Sequence, residues 1–258
     1  MPDAKETLST QEVRMAIAPY PTDKEAREGI LDVGRRMYER GFVAANDGNI
    51  SVKVADDVLW ATPTGVSKGF MTEDILVQVK TDGTVLYKKD RGPSSELKMH
   101  LRAYQENPLI RAVTHAHPPA STAFSIAGVS LGKPIYPEAT VNLGIIPCVH
   151  YETPGTQGVP DSIAPYCRDY NGILLSNHGP VTWGKTLLEA FYRLESLENF
   201  ALITLYLKQI GQEMLLSQRQ VDDMIAVRSQ LGTDSGGIPK GLDEPVNLQD
   251  HLIPQKGE

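Results

Sequence analysis

The stretch VTHAHPPAS, residues 113–121, sets His115 and His117 two positions apart in a run that is otherwise small or apolar. The chain has only six histidines, so such a pair asks for a reason. On an extended strand, residues i and i+2 share a face and lie ~6.5–7 Å apart. Two neutral imidazoles presented that way at a strand's end can ligate one divalent ion, each nitrogen at ~2.1 Å. A pair alone is not a site, because a bound ion takes further protein ligands. His178, in LLSNHGP, follows an apolar run before a Gly-Pro turn, and Glu96, in GPSSELKMH, opens a helix. Three imidazoles and a carboxylate are a donor set that zinc favours and that Mn²⁺ or Co²⁺ also accepts. Each residue has a plainer reading. A turn histidine can simply bond backbone, and a first-turn carboxylate complements the helix dipole. His100 falls in mid-helix, His150 has no histidine two residues away, and His251 lies in a polar tail, so these three are weaker candidates.

A second group suits an anion. NDGNIS (46–51) and TPTGVSKG (62–69) are small, polar and glycine-bearing, and PSSE (93–96) opens a helix. Such segments offer backbone N–H groups, amides and hydroxyls without bulk, which fits a phosphate at a helix start. A phosphate held by Ser94 and Ser95 would lie beside an ion held near Glu96.

These residues need elements to position them. Thr22 and Glu25 form a capping box for a helix over KEAREGILDVGRRMYERG, with Ile30, Val33 and Met37 on one face and Gly41 as its stop. Short β-like runs follow at 50–54, 58–62, 75–80 and 84–88, separated by turn signals that predict hairpins. A helix is expected over 94–107, stopped before Pro108, then a strand over 111–117 and a helix from Pro118-Pro119. GIIPCVHY and GILLSNHG read as strands. The segment 186–209 reads as a long amphipathic helix, and a shorter one is expected around 217–231. Too little helix separates the N-terminal strands for a doubly wound parallel sheet. The expectation is one α/β domain over 22–231 with a mixed, mostly antiparallel sheet covered by helices, an N-terminal extension over 1–21, and an irregular tail over 232–258.

The totals bound the function. At 258 residues the chain can bury a sizeable core, and its net charge of −7 lacks the basic footprint of a nucleic-acid binder. No apolar run is long enough to span a bilayer. The start has no apolar leader, and Cys148 and Cys167 look like reduced thiols rather than a disulfide framework. A cytoplasmic enzyme or binding protein is expected.

The blocks DGNISVKV, TPTGVSKGFMTEDILVQV, the run from Gly92 to Gly128 beginning GPSSELKMH, and NHGPVTWGKTLLEAFYRLESLENFA keep an order and spacing that resemble the class II aldolase/adducin family, in particular its L-fuculose-1-phosphate aldolase branch. The resemblance covers about residues 25–210. It implies an α/β/α layered domain, a homotetramer with the site near a subunit interface, and one zinc per chain. It places the metal on His115, His117 and His178. The acid that touches zinc and catalyses falls on Glu96, and the phosphate contacts fall on Asn49, Thr64, Gly65, Ser94 and Ser95. The implied reaction is the zinc-dependent cleavage of a ketose 1-phosphate to dihydroxyacetone phosphate and an aldehyde through an enediolate. Two positions depart from the branch. Its tyrosine proton donor aligns with Glu138, two residues from Tyr136, and its C-terminal tyrosine has no match after Gly232. Within the same superfamily a pentulose-5-phosphate 4-epimerase or a phosphorylated keto-acid decarboxylase are the alternatives. A non-catalytic adducin-like module is disfavoured because all three histidines are present.

Overall fold

The computed structural model describes residues 19–233 and 235–243. Helix α1 spans Asp23–Glu39, and its capping box forms: the Thr22 hydroxyl accepts from the Glu25 N–H at 3.2 Å, while the Glu25 carboxylate accepts from the Thr22 N–H at 2.8 Å. Gly41, at φ 70°, turns the chain out of the helix in the left-handed region, where glycine carries no Cβ penalty. Four strands follow: β1 (Asn49–Lys53), β2 (Val58–Ala61), β3 (Val77–Lys80) and β4 (Val85–Tyr87). Next come α2 (Leu97–Glu106), β5 (Ala112–His115), α3 (Pro119–Ile126), α4 (Pro137–Asn142), β6 (Cys148–Val149) and α5 (Gly158–Ile163). The last elements among the described residues are β7 (Gly172–Leu175), β8 (Gly179–Gly184), α6 (Leu187–Ile210) and α7 (Gln218–Gln230).

One eight-stranded sheet runs in the order β4-β3-β2-β1-β5-β8-β7-β6. Every neighbouring pair is antiparallel except β6 and β7, so the sheet is mixed and mostly antiparallel, as expected. Both faces are covered, and the alternation along single strands shows it. Leu59, Ala61 and Val113 point into a core with Leu97, Met99, Leu101 and Ile163 of α2 and α5. Their neighbours Trp60 and Ala112, with Ile50 and Val52, point into the opposite core against Ile30, Val33 and Met37 of α1 and Phe191 and Leu194 of α6. A third cluster joins α3, α4 and α6 through Phe124, Leu143, Leu197 and Phe200. The result is the α/β/α layering that the resemblance implied.

Some elements differ from the sequence reading. Strand β8 was not anticipated, because GPVTWG begins with a Gly-Pro pair that reads as a turn. The turn lies one step earlier: the His178 N–H donates to the Leu175 carbonyl at 3.0 Å, and Asn177 takes φ 57°. The short helices α4 and α5 were also missed; at 6 residues each they carry too few positions for a period to show. Strand β5 ends at His115 rather than at His117. The described part of the tail, 235–243, has neither helix nor strand. It is fastened to the body where the Ile145 N–H donates to the Gly236 carbonyl at 2.6 Å and the Gly236 N–H donates to the Asp169 carbonyl at 2.8 Å.

Candidate metal centre

The three histidines meet. His115 sits at the end of β5, paired across β1 to Asn49 and across β8 to Val181. Its Nε2 lies 3.2 Å from Nε2 of His117 and 3.3 Å from Nε2 of His178. The Pro180 carbonyl accepts from His115 Nδ1–H at 2.8 Å, which fixes the tautomer and leaves the Nε2 lone pair free. His115 is fully buried, and burial pulls its pKa well below the ordinary imidazole value against the opposing pull of Glu96. His117 does not use the strand geometry that its spacing suggested. It lies past the strand, tied by its N–H to the Phe42 carbonyl at 2.9 Å, and its Nδ1 faces Asp47 Oδ2 at 3.3 Å. The strand ends at His115, and the two Nε2 atoms lie closer than the ~6.5–7 Å between positions i and i+2 of an extended strand. His178 is delivered by the β7–β8 turn. Gly179 follows it because a Cβ there would meet the Ala116 carbonyl at 2.7 Å and His117 Cδ2 at 2.9 Å.

Glu96 closes on two of the three histidines. Its Oε1 lies 3.0 Å from His178 Nε2, and its Oε2 lies 3.8 Å from His115 Nε2. The Asn49 amide donates to Oε2 at 2.7 Å. Burial works to raise the carboxyl's pKa, but the His115 and His178 imidazoles and the Asn49 amide outweigh it and hold Glu96 well below the usual carboxylate range. Glu96 stands at the N-cap of α2 rather than in its first turn, and its side chain caps nothing there, so it is free to face the histidines.

The donor set fits a divalent ion. A tetrahedral ion with ~2.1 Å bonds holds its ligands ~3.4 Å apart. The two shorter histidine spacings are 3.2 and 3.3 Å, and the two Glu96 distances bracket the same value. Among the described residues this trio is the group of histidine, cysteine and carboxylate side chains whose ligand atoms gather within 4.8 Å of one another.

Beside it lies a polar cleft of about 210 Å³, lined by Asp47, Thr64, Gly65, Ser94, Ser95, Glu96 and His117 among others. Four of the five expected phosphate contacts, Thr64, Gly65, Ser94 and Ser95, are there. Asn49 is not among the lining residues: it is 3% exposed, set in the sheet opposite His115, and its amide serves Glu96 instead. Lys68 lines the cleft and was not singled out from the sequence. Burial pulls its ammonium down to about 8, against the opposing pull of Asp47 and Glu96. Glu138 is exposed at the start of α4 and does not line the cleft of its own chain. His100 is fully buried on Ser51, and His150 is exposed and paired with Glu152 at 3.3 Å, so neither joins the centre. His251 lies outside the described residues.

Two supports hold the centre from behind. On β1 and α2, the pairs Asn49–Glu96 and Ser51–His100 form successive polar rungs, and Tyr104 Oη meets the same Ser51 hydroxyl at 2.7 Å. The spacing is two residues along the strand and four along the helix, so each rung repeats the last. At the other side, the Glu198 carboxylate of α6 accepts from the N–H groups of Ala120 and Ser121, each at 2.8 Å, capping α3 just after His117.

The profile of the family described as Class II Aldolase and Adducin N-terminal domain matches residues 28–205. A 3-oxo-tetronate 4-phosphate decarboxylase of Escherichia coli strain K12 is 34% identical over 183 residues, 69% of this chain and 85% of that protein. An L-fuculose phosphate aldolase of Methanococcus maripaludis is 35% identical over 171 residues, 66% of this chain and 91% of that protein. Among solved structures, YgbL of Klebsiella pneumoniae, described as an aldolase/epimerase/decarboxylase, superposes with a TM-score of 0.74 at 30% identity, covering 79% of this chain and 99% of that one. An L-fuculose 1-phosphate aldolase superposes equally, at 0.74 and 26% identity, over 84% and 98% of the two chains. No described helix is long and apolar enough to cross a membrane. With its fold, its histidine trio and these matches, the chain belongs to the class II aldolase and adducin N-terminal domain family, as one of its enzymes.

Proposed function

We propose that the chain is a zinc-dependent carbon–carbon lyase that breaks a phosphorylated sugar to give dihydroxyacetone phosphate, in the first reading from a ketose 1-phosphate by retro-aldol cleavage. The observation that carries this is the geometry of His115, His117, His178 and Glu96: four donor groups at the spacing of one tetrahedral ion, two of which, Glu96 and His117, also line a cleft edged by hydroxyls. A divalent ion bound there supplies Lewis-acid neutralisation for the oxygens of an enediolate. The chain's own residues do the rest. Thr64, Ser94 and Ser95 hold the phosphoryl end and fix the distance between it and the reacting carbon. Glu96, anionic in the resting state, takes the hydroxyl proton as the bond breaks and returns a proton to the enediolate carbon. The His115 tautomer, set by Pro180, keeps its Nε2 available throughout.

A second reading has the relatives behind it, since they divide between an aldolase and a decarboxylase at 35% and 34% identity. Loss of CO₂ from a 3-oxo-tetronate 4-phosphate leaves the same enediolate as retro-aldol cleavage of a ketose 1-phosphate, and protonation gives the same dihydroxyacetone phosphate. One site therefore serves both reactions, and only the departing half differs: an aldehyde in one, CO₂ in the other. In the aldolase reading the chain assembles as a tetramer with the site near a subunit interface, where Glu138, exposed on α4, can face the departing aldehyde. The test is a panel of ketose 1-phosphates and 3-oxo acid phosphates, each with its unphosphorylated control, read by dihydroxyacetone phosphate release and by CO₂. We expect release from one class, dependent on the phosphoryl group. No dihydroxyacetone phosphate from any member would overturn the assignment.

A further inference from the structure

Lys68 is 2% exposed, yet it lines the cleft beside the histidines. Its Nζ donates to the Val66 carbonyl at 2.6 Å and to the Asn46 carbonyl at 3.0 Å. These carbonyls belong to two of the segments that form the cleft, so the lysine ties them together. An ammonium carries three N–H donors, and these two bonds leave one. Among the described residues no carboxylate forms a salt bridge with it. Burying a cation away from water is unfavourable unless an anion or a full set of hydrogen bonds offsets it. Two neutral carbonyls do this only in part.

The charge of the cleft gives the lysine its purpose. Among the described residues lining it, Lys68 is the one cation, and Asp47 and Glu96 are acids. A phosphate monoester brings a charge of about −1.5 to −2 at neutral pH. An ion on the histidines would offset the charge of Glu96, but Asp47 remains, and the Arg91 guanidinium on the Thr64 and Gly65 carbonyls is exposed at the rim; a cation fixed in the wall with an unspent donor is the inner contact for a dianion. We propose that Lys68 is the charged contact for the phosphoryl group of the substrate, and that it also fastens the Asn46 and Val66 segments around that group. This rests on the phosphosugar reading above and adds the residue that makes the cleft selective for a dianion over a neutral sugar.

The probe is inorganic phosphate, titrated by calorimetry into the purified metal-bound protein. Lys68→Gln keeps donors for the two carbonyls but removes the charge, and it should weaken phosphate binding by ~10–100-fold, the size expected for a hydrogen bond to a charged group. Lys68→Arg should recover most of that loss. Phosphate affinity unchanged in Lys68→Gln, with Ser94→Ala and Ser95→Ala weakened, would overturn the role of Lys68 and leave the cleft standing. Phosphate affinity unchanged in all three variants, or absent from the wild type, would overturn the phosphate cleft and the lysine with it. A check without mutation guards against misfolding: in ¹⁵N-lysine-labelled wild type, the Lys68 Nζ resonance should shift on saturation with phosphate and not with chloride. A resonance that does not move would count equally against the proposal.

Discussion

In the proposed reaction Glu96 serves the ion site and the reacting carbon at once, and the two tasks separate on mutation. Glu96→Gln keeps the shape and an oxygen for the ion but removes the proton carrier. It should keep most of the bound metal while turnover falls by ~10²–10⁴-fold, the usual worth of a placed general acid–base. Metal analysis beside the dihydroxyacetone phosphate assay checks both halves. His100, one helical turn further on, reports on the scaffold instead. Burial pulls it down to about 3 from 6.5, so between those values the unfolded chain binds a proton that the folded chain does not. Its stabilising effect is complete above pH ~6.5 and is lost as pH falls toward 3. Urea melts should therefore show stability dropping from pH 7 to pH 5, with a shallower drop in His100→Asn. The histidine trio was legible in the sequence because histidines are few and these fall at element ends, whereas Glu96, a common type, stood out only by its place at a helix start beside two serines. Lys68 was not, since a lysine in TPTGVSKG looks solvated until the fold buries it. Nor was the true place of Asn49, which depends on its being opposite His115 across two strands.

At the scale of elements, the centre depends on how each one ends. Strand β5 stops at His115, the chain continues through His117, and α3 starts at Pro119 with its first N–H groups held by Glu198. Glu198→Ala should cost about 1–2 kcal/mol in urea melts through the lost cap, and it should weaken metal binding because His117 sits just ahead of that cap. Equal metal affinity in the variant would show that α3 plays no part in placing His117. The long helices were legible because their apolar periods run for many residues, and the first four strands, only three to five residues each, because turn signals separate them. Strand β8 was not: its opening Gly-Pro mimics a turn, whereas the close approach of Gly179 to Ala116 and His117 is a tertiary demand that no local pattern records. The polar rungs between β1 and α2 were equally hidden, because positions 49, 51, 96 and 100 share a line only after the layers are stacked.

The whole molecule gathers its chemistry where β1, β5 and β8 lie side by side in mid-sheet, with the N-terminus of α2 leaning over them. The ligands come from segments 63 residues apart in the chain, so an ion bound there joins distant parts of the fold and binds only the folded state. Removal by a chelator should lower the melting temperature. An ion present at 100 times its dissociation constant contributes ~2.7 kcal/mol, and the loss should be reversed by adding Zn²⁺ back. The layering and the sheet's mixed character followed from the order of the sequence blocks. The most direct measurement is metal content by elemental analysis of the purified protein and of the variant with His115, His117 and His178 all changed to Ala. The expected result is one divalent ion per wild-type chain and none in the variant. A wild type that binds no ion under saturating zinc, or a variant that keeps its ion, would contradict the claim that these three imidazoles hold one metal.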